Sequence, residues 1–295
     1  MKHRVGFIGL GHMGLFMAEN ILKKGFPLWI YNRTKEKATS LLDKGAQWAA
    51  TPAELVGVCD VVITMIANDL ALNEIVHGPA GILSSCNKPF IHISMSTVSP
   101  DLITDLEKKH QEKGIAFLAA PVTGRPERAK EGTLWIFLAG ESKAKKTVSP
   151  ILEAMSIKIF DLGEHAAQSS LFKLCNNFMI ASLIEAFSEA AVMLEKGGIS
   201  PSVAAEIWGS SLFNAPVFHS YTPMICKRNF ADGGFALHLG LKDMRILQSC
   251  ADKAQVPMPF LAELHEKMLA CMNLGREEFD WSVIALLTRE LAGLK

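Results

Sequence analysis

Val5-Gly6-Phe7-Ile8-Gly9-Leu10-Gly11-His12-Met13-Gly14 stands at the head of the chain, and Ala18-Glu19-Asn20-Ile21-Leu22 follows it. A short apolar run ends in Gly-x-Gly-x-x-Gly, and an amphipathic helical pattern begins at once. That order suits a nucleotide diphosphate. Gly9 allows a tight turn, Gly11 lets a pyrophosphate approach bare backbone, and Gly14 lets helix and strand pack closely. The helix N-terminus then offers unpaired N–H donors and partial positive charge. The loop Gly9, Leu10, Gly11, His12, Met13 and Gly14 is therefore the expected cofactor-binding segment. The alternative is a plain strand–helix turn that binds nothing.

The next apolar run, Phe26-Pro27-Leu28-Trp29-Ile30-Tyr31, ends at Asn32-Arg33-Thr34. In a dinucleotide-binding unit an acid near this point holds the ribose hydroxyls of NAD, and an arginine accommodates the extra phosphate of NADP. No acid stands here. Asn32 and Thr34 can hydrogen-bond a phosphate, and Arg33 can pair with it or stack on the adenine. The expected cofactor is NADP, with NADPH preferred over NADH. The alternative for Arg33 is a solvated loop residue.

The chain has 295 residues, 49% of them hydrophobic and 20% charged, enough for a large core and two domains. Its formal net charge is zero, and no basic run is interleaved with aromatics, so nucleic acid and anionic membrane surfaces are not expected partners. Met1-Lys2-His3-Arg4 is basic, but the apolar run after it is short and broken by the glycine loop; a strand is expected there, not a signal peptide. No uninterrupted apolar stretch is of bilayer-spanning length. Cys59, Cys86, Cys175, Cys226, Cys250 and Cys271 form no Cys-x-x-Cys pair. Their scatter suits reduced packing thiols in a cytoplasmic protein. The histidines show no metal-ligand spacing, and no metal is expected.

Up to about residue 163, β-rich runs alternate with helical patterns. The expected strands are Val5–Ile8, Pro27–Tyr31, Val61–Met65, Phe90–Ile93, Ala116–Ala119, Leu134–Ala139 and Lys158–Asp161. Such alternation predicts an α/β, doubly wound, mainly parallel sheet. After Gly163 the strand signal stops. A helical pattern runs from about His165 to Lys196, apolar around much of its girth, and stops at Gly197-Gly198. Further helices are expected from Ser200-Pro201, Ala215-Pro216, Phe235, Met258 and Asp280. The expected division is a dinucleotide-binding domain over 1–163 and an all-α domain over 164–295.

Inside the long helical pattern, Lys173 and Asn177 are one turn apart and share a face, with Asn176 adjacent. A lysine amid Leu171, Phe172 and Leu174 is costly to bury without purpose. The residues alone leave two readings, a catalytic lysine or one whose ammonium snorkels to water.

Five ordered segments together resemble the β-hydroxyacid dehydrogenase family over essentially the whole length. They are Gly9–Gly14 with Met17-Ala18-Glu19-Asn20, Ser96-Thr97-Val98-Ser99-Pro100, Ala120–Arg125 with Gly132-Thr133-Leu134, Lys173-Leu174-Cys175-Asn176-Asn177, and Phe235-Ala236-Leu237 with Leu241-Lys242-Asp243-Met244. The resemblance implies a Rossmann domain followed by a helical domain. It also implies hydride transfer between nicotinamide and the carbonyl or carbinol carbon of a small carboxylate-bearing substrate. Lys173 is then the general acid in reduction and the base in oxidation, with a pKa lowered by partial burial. Asn177 is expected to orient Lys173 or hold the substrate. Val122, Thr123 and Gly124 are expected to receive the substrate carboxylate. Thr97 is expected to bind cofactor or substrate, or else to form a capping turn. Lys242 is expected to bind cofactor, or else to be exposed and paired with a carboxylate. A homodimer or homotetramer is also implied.

The chain departs from the family pattern at the substrate loop. Ala119-Ala120-Pro121-Val122-Thr123-Gly124-Arg125 stands where Asp-x-Pro-Val-Ser-Gly-Gly is common, and Ser94 where an Asp is common. Thr123 keeps the hydroxyl. Arg125 adds bulk and permanent charge; it is expected to bind a second anionic group, shape a different pocket or face solvent. Glyoxylate and succinic semialdehyde lead the expected substrates. An imine-reductase-like enzyme and a non-catalytic NADP-binding redox sensor are the alternatives, and the retained Lys173 argues against both.

Overall fold

The apolar run Val5–Ile8 is strand β1 and is buried at every position. The computed structural model describes residues 2–84, 88–231 and 234–294. After β1 come α1 (Gly14–Lys23), β2 (Leu28–Tyr31), α2 (Thr39–Leu42), β3 (Gln47–Trp48), α3 (Pro52–Val58), β4 (Val61–Thr64), α4 (Asp69–His77) and β5 (Ile91–Ser94). They are followed by α5 (Pro100–Gln111), β6 (Ala116–Ala119), β7 (Val122–Thr123), α6 (Pro126–Glu131), β8 (Leu134–Gly140), α7 (Ser142–Leu152) and β9 (Ser156–Asp161). The described residues fall into two units, Met1–Lys173 and Leu174–Lys295.

The strand order is β3-β2-β1-β4-β5-β6-β8-β7, with β9 also paired to β8. Every pair from β3 to β6 is parallel. Strand β8 runs antiparallel to β6 and β7 and parallel to β9. Val5 and Phe7 pack into one apolar layer with Met17, Ile21 and Leu152, while Ile8 joins Leu55, Leu72 and Leu106 in the other. Burial on both faces is why these strands read as unbroken apolar runs. The chain order reverses at β1, between β2 and β4, and ligands bind such sheets beyond the C-terminal strand ends at that point.

Most strands lie within a residue or two of expectation. Strands β3 and β7 were not foreseen, since two residues carry no period. The pairing of β7 has consequences for the substrate loop.

Thr64, His92 and His110 form a buried chain within this unit. Thr64 Oγ1 lies 3.0 Å from His92 Nε2, His92 Nδ1 lies 2.9 Å from His110 Nε2, and His110 Nδ1 lies 2.6 Å from the Leu106 carbonyl. The carbonyl can only accept, so His110 Nδ1 donates and its Nε2 accepts from His92 Nδ1. His92 Nε2 is then left to accept the Thr64 hydroxyl proton. Phe117 packs against both rings. Burial lowers the pKa of both imidazoles, with His77 adding repulsion at His110, which falls to about 4. The unfolded chain therefore binds protons that the folded chain refuses. Stability is full above the ordinary histidine pKa and falls as pH drops from about 6.5 toward about 4. The expected slope is about 1.4 kcal/mol per pH unit for each histidine. Urea unfolding across that range checks it. His110→Phe is expected to flatten the slope, and an unchanged slope would refute the assignment.

The second unit is helical. Helix α8 (Ala167–Lys196) begins in the first unit and continues into the second, followed by α9 (Pro201–Ser210), α10 (Pro216–Lys227), α11 (Leu237–Ala254), α12 (Pro259–Asn273) and α13 (Ile284–Leu291). Gly198, at φ +84°, follows the end of α8 as expected. Ser200 caps α9 by accepting the Ser202 N–H at 3.3 Å. The helix expected from Asp280 starts as a single 3₁₀ turn, Trp281–Val283, capped by Asp280. The core gathers round Trp281, whose indole donates to the Tyr221 hydroxyl at 3.0 Å. A Cβ on Gly240 would lie 2.7 Å from that ring, so glycine is required there.

Helix α8 is less enclosed than its composition predicts. Leu171, Cys175 and Met179 form an exposed row at four-residue spacing. Cys175 is therefore not a packing thiol. It lies two positions from Lys173, on the opposite side of a helix that turns 100° per residue. By length and composition alone α8 could cross a membrane. Several of its buried polar groups are instead met by protein. Ser169 donates to the Ala119 carbonyl at 3.1 Å, Ser170 to the Val98 carbonyl, and Lys267 donates to Glu185.

Candidate active site

The glycine loop follows β1 directly. Gly9 has φ +99°, and a Cβ there would lie 2.3 Å from the Met65 carbonyl oxygen. A Cβ on Gly14 would come within 2.0 Å of the Gly9 carbonyl oxygen. Both glycines are dictated by packing. Gly11 differs: a Cβ there would meet nothing within 4 Å. The protein leaves that backbone open, which fits the approach of a dinucleotide pyrophosphate. Leu10 is buried, Met13 half-buried and His12 exposed. The N-cap residue of α1, Met13, makes no side-chain cap hydrogen bond to the first turn.

Asn32 holds this loop to the sheet. Its Oδ1 accepts the Leu10 N–H at 2.9 Å, and its Nδ2 donates to the Thr34 carbonyl at 2.7 Å. Arg33 and Thr34 are exposed beyond β2. Lys35 lies 5.4 Å over the Trp48 ring, a basic neighbour the motif reading did not include, because Trp48 belongs to the unforeseen β3. Asn20 is buried in α1 and donates to the Ala129 carbonyl at 2.6 Å, tying the glycine-loop helix to α6.

Around the ends of β4 and β5, Ser96 accepts the Ile66 N–H at 2.8 Å. Ser99 caps α5 and its N–H donates to Asp69 at 3.1 Å. Thr97, half-buried between them, is not the cap.

The loop expected to receive substrate is pinned as a strand. Val122 pairs with Ile136 and Thr123 with Trp135. Gly124 follows at φ +145°, and a Cβ there would lie 2.6 Å from Leu134. Arg125 is the N-cap residue of α6, with Pro126 behind it. Lys173 is 8% exposed and donates from Nζ to Thr123 Oγ1 at 3.3 Å. The first unit thus brings the lysine to the loop expected to receive substrate.

In the second unit Asn177 is 2% exposed and donates from Nδ2 to Asp243 Oδ2 at 2.6 Å. Lys242 Nζ lies 3.1 Å from Asp243 Oδ1. Asp243 is fully buried between these partners. Sequence reasoning noted the Lys242-Asp243 pair but gave Asp243 no role. Its signal was an acid among the apolar residues Leu241 and Met244.

Comparison with known proteins shows the family. Residues 4–163 match the model of the NAD binding domain of 6-phosphogluconate dehydrogenase. Residues 167–287 match that of the NAD-binding of NADP-dependent 3-hydroxyisobutyrate dehydrogenase. The chain is 38% identical over 282 residues to the uncharacterized oxidoreductase YfjR of Bacillus subtilis, covering 95% of this chain and 98% of that one. It is 30% identical over 280 residues to glyoxylate/succinic semialdehyde reductase 1 of Arabidopsis thaliana, covering 95% and 96%. A solved 3-hydroxyisobutyrate dehydrogenase from Salmonella typhimurium shares the fold at TM-score 0.86 and 21% identity, over 97% of this chain and 100% of that one. With family models matched in both units and relatives matched along nearly its full length, the chain belongs to the β-hydroxyacid dehydrogenase family and is an NAD(P)-dependent oxidoreductase.

Proposed function

We propose that the protein uses NADPH to reduce a small carbonyl acid, and that Lys173 supplies the proton. The observation that carries this reading is the Lys173 ammonium, nine-tenths buried and 3.3 Å from Thr123 Oγ1 on the substrate loop. A lysine held at that place is not snorkelling to water.

The nicotinamide, when bound, supplies hydride. As hydride reaches the carbonyl carbon, negative charge develops on oxygen. The Lys173 ammonium stabilises that charge, then gives one proton to the oxygen and is left as a neutral amine. Solvent returns the proton. In oxidation the neutral amine takes the hydroxyl proton as hydride leaves. Thr123 orients the ammonium, and the Val122–Gly124 loop receives the substrate carboxylate. Asn177, one turn along α8, holds the substrate oxygen. Asp243 holds the Asn177 amide and the Lys242 ammonium in turn.

The NADPH preference is supported by Arg33 and Thr34, exposed beyond β2 where no acid stands. The family model over the second unit also describes an NADP-dependent enzyme. The Arabidopsis relative is named for glyoxylate and succinic semialdehyde, and those are the first substrates to try. The test follows NADPH and NADH oxidation against both aldehyde acids, with neutral aldehydes as controls. The expected result is turnover of an aldehyde acid with kcat/KM at least about tenfold higher for NADPH. Turnover confined to neutral carbonyls would overturn the carboxylate reading, and equal use of NADH would overturn the cofactor reading.

A further inference from the structure

We propose that Asn20 is a positioning residue for the reaction. Through its buried amide the glycine-loop helix α1 sets the place of α6, and with it the Val122–Gly124 loop, so that cofactor and substrate are held in one frame. This rests on the reading of that loop as the one that receives substrate.

Asn20 is an unexpected residue by local criteria. Asparagine is a poor helix former, and a buried amide without partners is costly. Yet Asn20 stands inside α1, 8% exposed, among the fully buried Met17, Ala18 and Ile21. Its side chain meets the C-terminal end of a second helix. Nδ2 donates to the Ala129 carbonyl at 2.6 Å and lies 3.5 Å from the Lys130 carbonyl. The last four carbonyls of a helix have no partner within it, and α6 ends at Glu131. Asn20 thus supplies a donor to that end. Ala129 is fully buried in the apolar layer that holds Met17 and Ile21. Gly132 closes α6 at φ +72°, and a Cβ on it would lie 3.5 Å from Asn20 Nδ2 and 3.2 Å from the Ala154 carbonyl oxygen. The end of α6 is seated between those two groups.

Both helices are short and lead straight to the two loops. Asn20 lies six residues after Gly14, about 9 Å along α1. Helix α6 has 6 residues, a length of about 9 Å, and its N-cap Arg125 follows Gly124 directly. The Ala129 N–H donates to the Arg125 carbonyl at 3.1 Å. The residue that accepts Asn20 therefore also closes the first turn of α6 beside the loop. Thr123 Oγ1, on that loop, lies 3.3 Å from Lys173 Nζ. A hydrogen bond fixes direction as well as distance, which apolar contact alone does not. A reacting pair misplaced by about 1 Å loses about 10²-fold in rate.

The test compares the wild type with Asn20→Ala and Asn20→Gln. The Ala129 carbonyl keeps the Gly132 N–H at 3.3 Å and alanine favours helix, so Asn20→Ala strands no acceptor there and is expected to fold. Amide hydrogen exchange of the cofactor-free protein is the first readout. In Asn20→Ala, exchange over residues 122–132 should quicken about three- to tenfold relative to residues 9–14. The Kd for NADPH should stay within about twofold, while kcat/KM for glyoxylate or succinic semialdehyde falls about 10- to 100-fold. Asn20→Gln returns an amide donor and should recover part of both losses. Unchanged exchange over 122–132, or a rise shared equally by 9–14, would overturn the tie and leave the loop reading intact. Quickened exchange with unaltered kcat and KM would show that the loop does not serve substrate, and would overturn that reading and the positioning role together. If the wild type turns over neither aldehyde acid, the substrate reading falls, and the exchange result alone upholds or overturns the tie.

Discussion

Lys173→Ala is expected to lower kcat by at least about 10³-fold while leaving the Kd for NADPH within about twofold. In the proposed mechanism the lysine has two tasks, and both end with truncation: it is the charge that meets the developing oxyanion, and it is the source of the proton. Removal of one positioned donor alone costs about 10²- to 10³-fold, and general acid catalysis contributes about 10²- to 10⁴-fold. Lys173→Arg separates the tasks. The guanidinium keeps the charge but does not release a proton at working pH, so the variant is expected to stay severely impaired. Fluorescence titration with NADPH and steady-state turnover read the two quantities independently. An alanine variant within tenfold of wild type would remove Lys173 from the chemistry.

Asp243→Leu should produce the second largest loss. Asp243 is fully buried, accepts the Asn177 amide at 2.6 Å and lies 3.1 Å from the Lys242 ammonium. Removing the carboxylate leaves a buried amide without this acceptor and takes away the charge 3.1 Å from the Lys242 ammonium. Breaking such a pair costs about 3–5 kcal/mol. The thermal midpoint should fall, and Asn177 should lose its orientation. A displacement of about 1 Å in a positioning group is worth about 10²-fold in rate. Asp243→Asn distinguishes positioning from bulk stability. Its amide oxygen can still accept from Asn177, so it should recover most of the thermal midpoint and part of kcat, while the charge facing Lys242 is lost. If both variants lose stability equally and kcat is untouched in the folded fraction, Asp243 serves the fold alone.

The doubly wound sheet and the helical unit were legible because each has a strong local signature. Buried strands read as short apolar runs, and the glycine loop couples one such run to a helix. The same holds for Ser99-Pro100 and Ser200-Pro201, where cap and first helical residue are neighbours in sequence. Strands β3 and β7 escaped because their stability comes wholly from partners distant in the chain. The motif around Asn20 is a similar case. In sequence it belongs to the glycine-loop helix, and in the fold its amide serves the carbonyls at the end of α6.

Backbone conformation and hydrophobic period are local, and sequence alone determined them: the glycine at each forced turn, the alternation of strand and helix, and the placing of Lys173 and Asn177 on one helical face. Which polar groups meet across the chain is not local. Only the tertiary structure brought Thr123 to Lys173, Asp243 to Asn177 and His110 to His92. Each of these bonds joins residues 18 or more positions apart, and none leaves a period in the sequence. What selects them is the cost of leaving a buried donor or acceptor unpaired, and that cost arises only once the core has closed around it.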